Sequence, residues 1–225
     1  MPRRVPATVP VGIEEVVDVI ERAFGGNEYP GDAWLQGSRE GEEPFDECGA
    51  FVGQTDWRAL TPEFLDQHYV VLSFFSEAGF RFFMPAFLIA DLRDQLRTAD
   101  PVFHLVGGFS DFSVTHRVGD RDFVIRSGST QFINPRRYGA SRFIDYARQR
   151  LSVFCREEAA AIVSYLEHVM TVPSRDTDKP AIEAGLNDYW RDRALSAPVA
   201  AELRRYVDEQ AAYLDAVMRD RGSAS

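Results

Sequence analysis

The stretch Phe74–Leu96, FFSEAGFRFFMPAFLIADLRDQL, constrains this chain more than any other part. Ser76 followed by Glu77 makes a helix start, because a serine oxygen accepts from the free N–H groups of a first turn. Phe80, Phe83, Met84 and Phe87 fall on one face at i, i+3, i+4 and i+7, and Leu88, Leu92 and Leu96 form an adjoining stripe. Phe82 and Ile89 widen the apolar surface until it runs nearly all round. Such a helix is buried in a large core or spans a bilayer. Its uncharged run, Phe82 to Ala90, has nine residues, against roughly 20 for a span. The core reading wins, and no membrane partner is expected. Pro85 lacks an N–H and crowds the carbonyl four residues back, at Arg81. The expected centre of the fold is a Pro-kinked helix over about 76–97.

The flanks are read from period and punctuation. Val11–Phe24 has Ile13, Val16, Val17, Ile20 and Phe24 on one face and Glu14, Glu15, Asp18 and Glu21 on the other, an amphipathic helix stopped by Gly25-Gly26. Tyr29-Pro30-Gly31-Asp32 reads as a type II turn, with proline second and glycine third. Residues 33–56 show no period. Thr61-Pro62-Glu63 opens a short helix. Tyr69–Phe75, YVVLSFF, suits a buried strand or a helical continuation equally. Val102–Val106 is a short apolar run, and residues 112–126 alternate around Gly119-Asp120 as a small β-hairpin. Cys155 stands where a helix cap belongs, with Glu158 three residues on. The helix that follows buries Ala159, Ile162, Val163 and Leu166, and two further helices occupy the C-terminus. In the last of them Leu203, Val207, Gln210, Leu214 and Val217 step by 4, 3, 4, 3. That spacing serves packing on the parent domain or a homodimer through 199–218. The fold class is mainly α (α+β). Residues 1–172 form a single globular domain, and 173–225 form a C-terminal helical extension packed on it.

Charge narrows the function classes. The net charge of −10 argues against nucleic acid and anionic membranes as partners of the whole protein. Of 25 basic residues only Lys179 is lysine, the mark of a GC-rich bacterial genome. Residues 1–60 carry twelve acids and five arginines, whereas 117–156 carry nine arginines and three acids. Within the basic segment Arg117, Arg121, Arg126, Arg136 and Arg137 form a candidate partner-binding patch. Between Glu28 and Glu47 lie Glu28, Asp32, Glu40, Glu42, Glu43, Asp46 and Glu47, oxygen ligands of the kind hard cations take, but without calcium-loop spacing.

Catalytic signatures are missing from the sequence. It has no G-x-x-x-x-G-K-[ST], G-x-G-x-x-G, G-x-S-x-G or H-E-x-x-H. His68, His104, His116 and His168 share no metal spacing, and no cofactor is expected. Cys155 reads as a weak cap or a small buried residue rather than a nucleophile. Asp91 and Asp94 read as a solvated polar end of the central helix, with Asp94 able to pair with Arg97. Two cysteines are too few for a disulfide framework, and no apolar segment follows MPRRVPATVP, so a cytoplasmic protein is expected.

Three pieces carry a resemblance: Tyr29-Pro30-Gly31-Asp32, the run from Trp57 through Tyr69 to Leu92, and the helix with Phe154, Ala161-Ile162 and Tyr165-Leu166-Glu167. Together they resemble a bacterial family of domains of unknown function. Gly79 and Cys155 depart from the residues expected at their positions. The resemblance implies a soluble bacterial protein and brings no activity, cofactor or catalytic residue with it. The leading expectation is an interaction protein, immunity-like, with a protein partner and no catalysis. The alternatives are a metal-assisted hydrolase using 28–47 and nucleic-acid binding through 117–156.

Overall fold

The computed structural model describes residues 12–38 and 41–223. Within these, the side chains of residues 112, 114, 116, 118, 125–127 and 214–223 are not described. The N-terminal arm expected over 1–10, and Glu40 of the acidic segment, lie outside the described residues. The chain is mainly helical, with one antiparallel hairpin. In order come α1 (Ile13–Phe24), α2 (Glu43–Gly49), α3 (Pro62–Gln67), α4 (Glu77–Leu92) and α5 (Pro101–Val106). The hairpin β1 (Phe112–Val118) and β2 (Arg121–Ser127) follows, then α6 (Pro135–Tyr138), α7 (Phe143–Leu151) and α8 (Arg156–Val169). The chain ends in α9 (Lys179–Gly185), a π turn (Leu186–Trp190), α10 (Arg191–Ser196) and α11 (Ala200–Ser223).

Helix α4 is the centre. Its N-cap Ser76 accepts from the Gly79 N–H at 3.1 Å, and every residue from Phe82 to Ala90 is buried. The helix continues unbroken through Pro85. It stops at Leu92, five residues short of the expected end. Asp94 takes φ +55°, and the N–H groups of Asp94 and Gln95 close back on the carbonyls of Asp91 and Ala90. That is a Schellman close with aspartate where glycine is usual. The apolar stripe misled at this point because Leu96 is buried although it is no longer helical. The following turn is held by Asp66, whose carboxylate accepts from the N–H groups of Arg97, Thr98 and Ala99 at 2.8–2.9 Å. The expected Asp94–Arg97 pair is not formed among the described residues.

Around α4 the rings make a continuous aromatic core. Phe51 lies 4.9 Å from Phe64, 5.0 Å from Phe75 and 4.9 Å from Phe83, edge to face, the arrangement ring quadrupoles prefer. Helix α8 packs between α1 and α10, and Phe154 at its start touches Phe24, Phe80 and Trp190. The Trp190 indole donates to the Leu105 carbonyl at 2.9 Å. The region expected as an extension therefore divides at Pro198. Ile182, Leu186 and Trp190 belong to the same apolar cluster as α4, whereas on α11 Tyr206, Val207 and Tyr213 are exposed.

Three local readings change. Residues 69–75 form no strand and continue neither α3 nor α4: Val71–Ser73 is a short 3-10 helix, and Val71, Leu72 and Phe75 are buried. Their β-branched and aromatic character reflects burial. Gly31 has the positive φ of a type II turn but ψ 148°, so the Tyr29–Asp32 segment is extended there. What holds it is the Tyr29 hydroxyl donating to the Asp32 carboxylate at 2.5 Å, with the Gly53 N–H on the same oxygen at 3.0 Å. Within 33–56, α2 forms on a proline in its first turn and buries Pro44 and Cys48 one turn apart. The hairpin forms as expected, with Val118 opposite Arg121 across the Gly119-Asp120 turn.

Candidate functional site

Two buried polar assemblies tie the core helices together. Glu158 is fully buried. Its carboxylate accepts from Arg81 Nε at 2.9–3.0 Å, from Asn27 Nδ2 at 2.6 Å and from the Cys155 N–H at 2.8 Å. It thus caps α8 and neutralises an arginine of α4 at once. Asp91, near the C-terminal end of α4, accepts from the Tyr165 hydroxyl at 2.6 Å and from Arg175. Burial raises the Asp91 carboxyl above its ordinary pKa despite these two partners. Asp91 is not a solvated end, and the sequence reading missed it because its partners lie 74 and 84 residues away. In both assemblies the buried carboxylate already has partners from two or more segments.

The open site lies elsewhere. Helix α7 approaches the end of α5 so closely that a Cβ on Gly108 would stand 2.3 Å from Ala147 Cβ. The turn Val71–Ser73 and the loop at Gly37 face α6 and α7 across a cleft of about 460 Å³. Its walls carry Glu77, Arg137, Tyr138, Asp145, Tyr146 and Arg150. A smaller cavity of about 160 Å³ adjoins it over His104, Phe103 and Gly107. Ser73, Tyr146 and Arg150 line both, so they stand where the two cavities join.

Arg150 is held from two sides. Its guanidinium lies 4.5 Å from the Phe80 ring centroid and donates to the Leu72 carbonyl. Among the described residues no carboxylate pairs with it. His104 sits behind it, edge-on to Phe80 and Phe103. Burial and the neighbouring Arg150 charge push its pKa down to about 3, so it is neutral at physiological pH.

Of the five arginines expected as a patch, only Arg137 reaches this cleft. Arg117 and Arg121 are exposed on the hairpin, Arg136 is exposed on α6, and the Arg126 side chain lies outside those described. Arg148, Arg150 and Arg156 donate to the backbone carbonyls of Asp188, Leu72 and Ala197. Arg150 has the strongest claim to function of the nine, and its sequence signal was only membership of a basic run. In the acidic segment Asp32 serves the Tyr29 turn, Glu47 meets His68 at 2.9 Å, and Glu42 and Asp46 line a separate surface pocket. Among the described residues no group of three His, Cys, Asp or Glu could hold a metal ion. No helix among them is long and apolar enough to cross a membrane.

Residues 13–115 match the model of DUF6714, a family of unknown function. The match contains the Tyr29–Asp32 turn, α4 and one wall of the cleft, with Gly37, Ser73 and His104; the α6–α7 wall and the Phe154–Glu167 helix follow it. No curated protein and no solved structure matches the chain.

Proposed function

We propose that this is a binding protein of the bacterial cytoplasm that neutralises a protein partner, in the manner of an immunity protein, and that the cleft between the DUF6714 segment and α6–α7 receives a segment of that partner. The observation that carries this reading is the cleft's chemistry: arginine, tyrosine and serine side chains face a cavity of about 460 Å³. Arginine and tyrosine are the side chains enriched at recognition hot spots. A catalytic reading finds less support. Ser73 and His104 share the smaller cavity, yet no hydrogen bond joins them and no carboxylate orients the imidazole among the described residues. An imidazole with a pKa of about 3 is also a weak base. The exposed Tyr138 at the cleft wall supplies the test. Wild-type protein should capture a stoichiometric partner from native lysate, and Tyr138→Asp should lose it while unfolding at the same denaturant midpoint. Absence of a stoichiometric partner, or capture unchanged by the substitution, would refute the proposal.

A further inference from the structure

We propose that the junction of the two cavities is a binding site for one oxyanionic group, a carboxylate or a phosphate, seated on Arg150 with Ser73 and Tyr146 as additional donors. The inference rests on the proposed partner-binding role only for where the group comes from; the site itself stands on its geometry.

The guanidinium has five N–H donors, and the described residues supply it one hydrogen-bond acceptor, the Leu72 carbonyl. The Phe80 ring under it fixes its plane and makes it a poor candidate for swinging out to solvent. The Ser73 and Tyr146 hydroxyls line the same junction, and neither has a hydrogen-bond partner among the described residues. Three donor groups line one junction, and among the described residues only the Leu72 carbonyl accepts from any of them, an arrangement that an oxyanion completes, since two parallel N–H bonds from arginine match its geometry. The cleft's acids are placed to select. Glu77 and Asp145 line the larger cavity, and no carboxylate is among the residues lining the smaller one. A small single anion is admitted, and a densely charged polyanion, which would also fill the larger cavity, meets repulsion. The neutral His104 and the Phe103 ring give the remainder of the ligand an uncharged wall in the smaller cavity. Arginine rather than lysine suits such a site, because its charge is permanent and its fork planar.

The test is titration of the full chain with inorganic phosphate and, separately, acetate, followed by the Arg150 side-chain NMR signal and by calorimetry. One saturable site is expected, shifting the Arg150 Nε–H resonance. A stronger response to phosphate assigns a phosphate-bearing ligand, and an equal or stronger response to acetate assigns a carboxylate. Arg150→Gln should weaken binding by roughly tenfold or more, the factor that corresponds to about 1.4 kcal/mol. Because Arg150 also packs on Phe80, Ser73→Asp at an exposed position provides a second variant. It gives the guanidinium an internal carboxylate and should abolish anion binding in a folded protein. No saturable binding to wild type, or equal binding to wild type and Ser73→Asp, would overturn the site. Anion binding lost in Ser73→Asp with partner capture unchanged keeps this inference and removes the cleft as the partner's seat. Partner capture that depends on Tyr138 without any anion binding does the reverse.

Discussion

Arg81 and Arg150 are both partly buried arginines beside the phenylalanines of α4, and their surroundings differ in one respect. Arg81 meets Glu158, a carboxylate with no solvent exposure that also engages Asn27 and the Cys155 N–H. Arg150 meets a carbonyl and a ring, and its remaining donors face a cavity. A buried charge costs several kcal/mol unless it is paired, so the first arrangement is what a fold needs and the second is what a binding site needs. The difference separates structure from function more clearly than charge density does, since the nine arginines of 117–156 differ widely in what they touch.

Substitutions that break this comparison should rank by how completely the replaced group is buried. Phe83→Ala removes a ring in contact with Phe51, Phe75 and Phe82, and should cost about 3–5 kcal/mol in urea unfolding. Glu158→Ala leaves Arg81 Nε and the Cys155 N–H without an acceptor and Arg81 without its carboxylate, and a loss of about 3 kcal/mol is expected by the same measurement. Arg150→Ala should cost about 1 kcal/mol, because one carbonyl bond and one ring contact are lost and no charge is stranded. If Glu158→Ala and Arg150→Ala prove equally costly, the distinction between a structural and an available arginine fails.

Proton linkage sharpens the same contrast. His104 has a folded-state pKa of about 3 against an ordinary 6.5. Between those values the unfolded chain binds a proton that the folded chain does not, so its contribution is full above pH 6.5 and is lost as pH falls towards about 3. Unfolding free energy measured across that window should fall less steeply in His104→Phe than in wild type. The smallest effect belongs to α11. Replacing the exposed Val207 and Tyr213 by Ser should change stability by no more than about 0.5 kcal/mol. If ultracentrifugation finds a wild-type dimer that the double variant dissolves, the 199–218 helix is its interface.

Legibility followed the range of the interaction. The caps at Thr61 and Ser76, the buried face of α1 at Val16, Val17, Ile20 and Phe24, and the hairpin turn at Gly119 were readable because each depends on residues within one or two turns. Helix α2 was missed because seven residues with two buried positions make too little period to see. Arg150 was visible only as one arginine among nine, since its neighbours Leu72, Phe80 and His104 come from three separate segments.

The sequence alone determined that an aromatic, all-round apolar helix lies at the centre of a mainly helical protein, because burial of that surface is a local property of Phe80–Leu92 and has no cheaper solution in water. It also determined the starts of α3 and α4, since capping is chemistry between near neighbours. Tertiary structure decided which charges are spent and which remain. Arg81 finds Glu158 77 positions away and Asp91 finds Arg175 84 positions away. Arg150 reaches Leu72 across 78 positions and meets no carboxylate among the described residues. Side-chain pairing over such separations is set by how helices pack, and helix packing depends on the whole core rather than on any one segment.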